Sequence, residues 1–302
     1  MSGLAAIFAA DILPILLIAT VGYLLAQYAG AQVKTVSSVA FYALIPCLIF
    51  HLLVTSTVSG REVSQMMLAA VLVITAMAVV GLIAGRALKL SRSETSAFLL
   101  VVMFSNGGNY GLPLVSFAFG PVALAHATVF FVTGSVLTFT LGGFLAAAGR
   151  RSFRAAVIGV LNMPVIYGAL AAVIVINTGV HVPDAIMRPI TLLNNASLPT
   201  MILILGMQLQ RATLPKRPGV AVAAVAVSLL VTPFIALALT HWLGITGPAR
   251  QAAVILSSMP VAVSTTIMAI QYDIEPDLVT STVFLSTILS PLTLAPLIAY
   301  LG

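Results

Sequence analysis

Long apolar runs alternate with short polar gaps along the whole chain. Cutting at charges and at clusters of glycine and proline gives ten runs: Ala5 to Gln27, Val36 to Thr57, Met66 to Leu88, Thr95 to Phe119, Val122 to Ala146, Ala155 to Asn177, Ile186 to Gln208, Gly219 to His241, Ala252 to Tyr272 and Leu278 to Tyr300. A helix needs about 20 apolar residues to cross a hydrocarbon core of about 30 Å, so each run predicts one transmembrane span. The gaps are too short for a soluble domain. Any function must therefore be built inside the bilayer.

Composition sharpens this reading. Of the 302 residues, 61% are hydrophobic and 7% charged, with a mean hydropathy of +1.17. A soluble domain has about 25% charged residues, so a water-facing enzyme is excluded. The net charge of +6 would point to nucleic acid in a soluble protein, but here the basic residues sit in gaps between apolar runs. They read as orientation signals, and no nucleic-acid partner is expected. The single cysteine, Cys47, lies in an apolar run and excludes an internal disulfide or a cysteine zinc cluster. The first run starts at Leu4 with no Lys or Arg before it, unlike a secretory signal peptide, and is expected to stay as span one. No HExxH, GxSxG or Walker loop occurs, so no enzyme, cofactor or metal is expected.

Charge placement sets orientation. With the N-terminus outside, the inner gaps hold Lys34, Arg86, Lys89, Arg92, Arg150, Arg151, Arg154, Arg211, Lys216 and Arg217, and the outer gaps Arg61, Arg188 and Arg250. Positive charge concentrates on the cytoplasmic side, so this excess selects both termini outside. The acidic last inner gap, with Asp273, Glu275 and Asp277, carries little topological weight.

Proline in a transmembrane helix removes a backbone hydrogen bond that must be compensated locally. Pro14, Pro46 and Pro113 in spans one, two and four recur as Pro164, Pro199 and Pro260 in spans six, seven and nine, at offsets of 150, 153 and 147 residues. Half of the 302 residues is 151, so one five-helix unit is written twice, as residues 1–148 and 149–302. Five is odd, so the second copy enters from the opposite side. Pro233, Pro291 and Pro296 have no mates in the first half. Inverted repeats with interrupted helices are the build of secondary transporters, with substrate held between the repeats near mid-bilayer.

Spans four and nine are the interrupted pair. Ser105-Asn106-Gly107-Gly108-Asn109-Tyr110-Gly111-Leu112-Pro113 occupies a depth where leucine is expected, and Ser257-Ser258-Met259-Pro260 with Ser264-Thr265-Thr266 is its counterpart. From the inner face the arms before the breaks measure about 18 and 20 Å at about 1.5 Å per residue, so both breaks fall at one level and the helices are expected to cross there. Half-helices starting near Leu112 or Pro113 and at Pro260, with Asn109 or Ser258 as caps, would each present free N–H groups and about half a positive charge. Two such ends make an anion site without lysine or arginine. The candidate binding residues are Asn106, Gly107, Gly108, Asn109, Pro113, Ser258, Pro260, Ser264, Thr265 and Asn195. Small polar residues also let helices pack closely, and that alternative stays open for the serines and threonines.

Weaker signals lie elsewhere. Asp11 in span one and His126 in span five are candidates for ion coupling, with H+ or Na+ left open; a headgroup-level carboxylate and a structural histidine are the alternatives. His51 and His241 read as interfacial, Asn194 as a cavity residue or a cap, and Gly81 with Gly85 as a helix-packing pair. The expected function is secondary transport of a small organic anion. A channel, a ligand-sensing receptor and a cation or proton antiporter on the same crossed helices are the competing classes.

SNGGNYGLPL, Ser105 to Leu114, resembles the signature of the auxin efflux carrier family. Phe41 to Pro46, Asn195 to Gln208, Ser258-Met259-Pro260 and Gln271-Tyr272 are similar to its pattern, so the resemblance covers nearly the whole chain. It implies an all-α membrane protein of ten transmembrane helices with crossed, broken helices four and nine. It further implies a scaffold of spans one, two, six and seven, against which a transport part of spans three to five and eight to ten moves as an elevator. A homodimer through the scaffold helices and a place in a bacterial inner membrane go with it. Permeases for malonate, malate and related acids belong to that family, as do plant auxin exporters, and the resemblance places the carboxylate beside Asn109, Pro113 and Pro260. Sodium-coupled bile acid symporters are more distant in fold. Span three, read as Met66 to Leu88, has no carboxylate where the plant carriers have one, which argues against auxin and against proton coupling by that route.

Overall fold

The structure is a computed structural model that describes residues 2–146, 158–159, 161–210 and 217–302. The boundary between residues 148 and 149, the start of span six at Ala155, and Arg150, Arg151, Arg154, Arg211 and Lys216 lie outside the described residues. Among the described residues the chain is helical, with one isolated antiparallel bridge between Ser105 and Val261.

The helices are α1 (Gly3–Tyr28), α2 (Val33–Thr55), α3 (Gly60–Ala87), α4 (Arg92–Met103), α5 (Gly107–Leu145), α6 (Pro164–Thr178), α7 (Asp184–Leu209), α8 (Pro218–Trp242), α9 (Gly247–Ser257), α10 (Val263–Tyr272) and α11 (Pro276–Leu301). Seven of these, α1, α2, α3, α5, α7, α8 and α11, are long and apolar enough to cross a membrane. Helix α5 turns at Gly120, where φ is +76° and Pro121 follows; only glycine enters that region of backbone space without strain. The shorter α4 stops just before α5 begins, and α9 just before α10, at the two predicted breaks.

Local chemistry sets the helix starts. Ser59 and Ser91 cap α3 and α4, each paired with a glutamate three residues on that reaches back to the cap backbone. Helix α3 therefore starts at Gly60 rather than Met66, and the helix read as lacking a carboxylate carries Glu62 in its first turn. A cut placed at charges misses an acidic residue whose task is to begin the helix.

Proline shapes the interior. A wide turn, with hydrogen bonds spanning five residues, ends two residues before Pro14, Pro46, Pro113 and Pro233. The proline ring crowds the carbonyl four residues back, and widening the turn relieves the clash. Pro199, the sequence counterpart of Pro46, sits inside α7 with no such turn. Repeated prolines are thus met by different backbone solutions in the two halves.

Two packing groups result. Helix α1 runs along α7, and α2 along both α6 and α7. The second group joins α3 to α4, α5 and α8, α9 to α5 and α8, and α11 to α4, α8 and α10. In the first group the backbones touch. A Cβ placed on Gly206 would lie 1.7 Å from the Ala19 carbonyl oxygen, one on Gly22 2.1 Å from that of Leu203, and one on Gly168 2.5 Å from that of Pro46. In the second group Gly81 seats the side chains of Leu99 and Val102, which supports the packing role read for Gly81.

Candidate functional site

The breaks between α4 and α5 and between α9 and α10 are bonded to each other. The Asn106 N–H donates to the Pro260 carbonyl at 2.7 Å, and the Ala262 N–H to the Phe104 carbonyl at 2.9 Å. Ser105 Oγ donates to the Leu256 carbonyl at 2.7 Å, and Ser286 Oγ on α11 accepts the Val261 N–H at 3.1 Å. Unwound backbone inside a membrane must find partners, and here each break supplies them to the other. Phe104, Ser258, Met259, Pro260 and Val261 are buried, so this short two-strand link is closed to lipid.

Two half-helices start there. The first begins at Gly107 rather than at Leu112 or Pro113, because the glycine-rich stretch winds into a wide turn, Gly107–Gly111, ahead of Pro113. The second begins at Val263, three residues past Pro260. Neither start has a side-chain cap, so Asn109 and Ser258 do not serve as the expected caps. First-turn N–H groups of a helix have no partner within it, so each uncapped start keeps donors and about half a positive charge. The glycines let this turn lie against its neighbours. A Cβ on Gly108 would come within 3.0 Å of the Phe131 ring, and one on Gly111 within 3.1 Å of Met259.

The site residues divide sharply. Asn106 is 5% exposed and its Nδ2 has no hydrogen-bond partner among the described residues. Asn109 is half-buried and donates through Nδ2 to Gln208 Oε1 on α7 at 3.4 Å. Ser258 and Thr265 are buried and spend their hydroxyl protons on the carbonyls of Val254 and Ala262, leaving only oxygen lone pairs. Ser264 is half-buried in the first turn of α10. Pro113 is buried at the second position of the helix that follows the wide turn. Asn195 is exposed on α7 and accepts from Asn194 Nδ2 at 3.1 Å, four residues before Pro199; no described hydrogen bond joins it to the breaks.

The coupling candidates lie apart. Asp11 is half-buried in the wide turn Phe8–Ile12, which packs against α5 and α11. His126 is 4% exposed, with Nδ1 2.9 Å from the Val122 carbonyl and Nε2 3.2 Å from Glu62 Oε1. It ties α5 to the first turn of α3. Glu94 is buried, with one carboxylate oxygen on the Ser91 N–H and the other paired with Arg217. Sequence reasoning missed Glu62, Glu94 and Gln208. The pattern Ser-x-x-Glu gives the first two away as capping boxes, whereas nothing in the sequence reports Gln208's partner.

No Lys or Arg occurs between Arg92 and Arg150 or after Arg250, so both breaks lie in stretches without a cationic side chain. What they offer is backbone donors, amides and the positive ends of two half-helices, buried among the helices of the described residues. With seven helices long and apolar enough to cross a membrane, the chain is a multi-pass membrane protein.

Comparison with known proteins carries this further. The chain belongs to a family described as membrane transport protein, whose model matches residues 7–156 and again residues 148–298. The resemblance to the auxin efflux carriers stands with that membership. An uncharacterized transporter of Methanothermobacter thermautotrophicus is 29% identical over 295 residues, covering 94% of this chain and 95% of the relative. One of Methanocaldococcus jannaschii is 24% identical over 295 residues, covering 94% and 96%. The function is membrane transport.

Proposed function

We propose that the chain is a secondary transporter for small organic anions, mono- or dicarboxylates such as malonate or malate. The observation that carries this reading is the pair of mutually bonded breaks: two uncapped half-helix starts and a buried Asn106 Nδ2 with no partner among the described residues, in stretches without Lys or Arg. The N–H groups and the partial positive charge at a helix start bind a carboxylate without a cationic side chain. Asn106 and Asn109 add amide donors, and Ser264 a hydroxyl.

In this reading, spans four and nine, formed by α4 with the start of α5 and by α9 with α10, cross at the breaks. Ten spans form two inverted repeats of five, residues 1–148 and 149–302, with both termini outside a bacterial inner membrane. The glycine-tight group of α1, α2, α6 and α7 is the scaffold and the other helices are the moving part, since backbone-on-backbone contact resists sliding. A second copy docks on the scaffold. Coupling to H+ or Na+ stays open, with Asp11 and His126 as candidates.

The test is uptake by the purified protein in reconstituted vesicles. Malonate or malate enters, and Asn109→Ala weakens apparent affinity about tenfold, while Ser281→Ala, whose hydroxyl bonds only to carbonyls of its own helix, leaves it unchanged. Vesicles that move cations but none of these acids overturn the reading. Equal effects of the two substitutions turn the asparagine into a packing residue.

A further inference from the structure

Among the described residues, hydrogen bonds between helices fall mostly within one packing group or the other. Ser197 to Leu44, Thr191 to His51 and Gln210 to Gln27 stay within α1, α2, α7 and the residues just past them. Asn106 to Pro260, Ser105 to Leu256, Val261 to Ser286, Thr232 to Met77 and His126 to Glu62 stay within the other group. Asn109 to Gln208 crosses between them. It joins the start of α5 to the last turn of α7, where the wide turn Gly107–Gly111 rests on that helix.

We propose that Gln208 is the scaffold's half of the binding site, an amide that positions Asn109 in this conformation and shares it with a bound carboxylate. This rests on the carrier reading above. Asn109 Nδ2 carries two hydrogens, of which Gln208 Oε1 takes one, leaving the other for an anion. Gln208 Nε2 brings two donors of its own, and an amide can turn them toward the same carboxylate. Movement of the breaks along α7 must part the two residues. Without ligand the bond holds the conformation seen here; with ligand the carboxylate replaces it on Asn109. Gln208 is thus a positioning residue that sets both the conformational bias and the affinity. A residue that only fills space would set neither.

Distance measurement between spin labels on the full-length protein in lipid tests this without a substrate. In a Cys47→Ser background, labels at Tyr28 and Leu88, exposed at the ends of α1 and α3, report one packing group against the other. Gln208→Leu is expected to shift the ratio of the two conformations about threefold, the scale of a typical hydrogen bond inside a membrane protein. Asn109→Leu should give the same shift, and the double variant no more than either. If Gln208→Leu expresses poorly, the shorter amide of Gln208→Asn replaces it, with the same expectation. An unchanged distribution in the Gln208 variants, or independent, additive shifts, overturns the proposal. A second arm measures thermal stabilisation by malonate. Gln208→Glu should lose it, because a carboxylate there repels the anion and keeps Asn109 occupied; full stabilisation in Gln208→Glu also overturns the proposal. Failure of malonate to stabilise the parent protein counts against the carboxylate reading alone, since the distance arm needs no ligand.

Discussion

Helices α1 and α7 meet with carbonyl oxygens where side chains would be, whereas α4 and α9 stop short and the breaks that follow them bond to each other. Glycines occur in both regions, and they do opposite things there. Gly22 and Gly206 remove side chains so that two intact helices interlock along their backbones. Gly107, Gly108 and the residues around Pro260 remove helix, so that backbone donors and carbonyls become available inside the bilayer. One region gains rigidity by losing volume. The other loses regular helical hydrogen bonding, and its backbone groups bond across the two breaks instead.

The contrast can be broken from either side. The largest effect is expected at the interlock: Gly206→Leu pushes side chain into the Ala19 backbone, which cannot rotate away, and should cost about 3 kcal/mol in thermal or denaturant unfolding of the purified protein. Gly134→Ala on α5, where a Cβ would meet nothing within 4 Å, should be neutral or gain up to about 1 kcal/mol. Equal losses at the two glycines would remove the interlock from the account.

At the breaks the sensitive group is a hydroxyl outside both of them. Ser286→Ala deprives the buried Val261 N–H of its acceptor and should cost about 1–3 kcal/mol, with faster amide exchange at Val261. Unaltered exchange there would mean that the two breaks hold without α11. The smallest effect belongs at the first turn of α3. Glu62→Ala loses the capping box and should cost about 1 kcal/mol, whereas Glu62→Gln keeps the reach back to Ser59 and should cost less than half as much. If the glutamine variant loses as much as alanine, the carboxylate's contact with His126 is what matters.

How far the sequence carried the account follows from the range of each interaction. Apolar runs and capping residues act within a few turns, so the long helices and the two polar breaks were legible from spacing. The start of α3 was misplaced because Glu62 was weighed as a charge rather than as a cap. At the breaks, composition marked the stretch from Ser105 to Pro113, but not that its glycines would wind into a turn and move the half-helix start to Gly107. Two asparagines three residues apart look equivalent in the sequence. Only the fold buries the Asn106 Nδ2 with no hydrogen-bond partner among the described residues and turns Asn109 toward Gln208, a contact 99 residues away along the chain. For Ser258 and Thr265 the sequence leaves binding and packing both open, and the fold has each hydroxyl bonded to a nearby carbonyl, the usual fate of a hydroxyl in a helix.

The account's central claim is that the joined breaks form a moving anion site. The most direct test is counterflow of malonate or malate in vesicles preloaded with the same acid. The account predicts uptake that is accelerated by acid on the far side and lost in Asn109→Ala. Uptake indifferent to acid on the far side would mean a pore, and counterflow that survives intact in Asn109→Ala would place the substrate elsewhere.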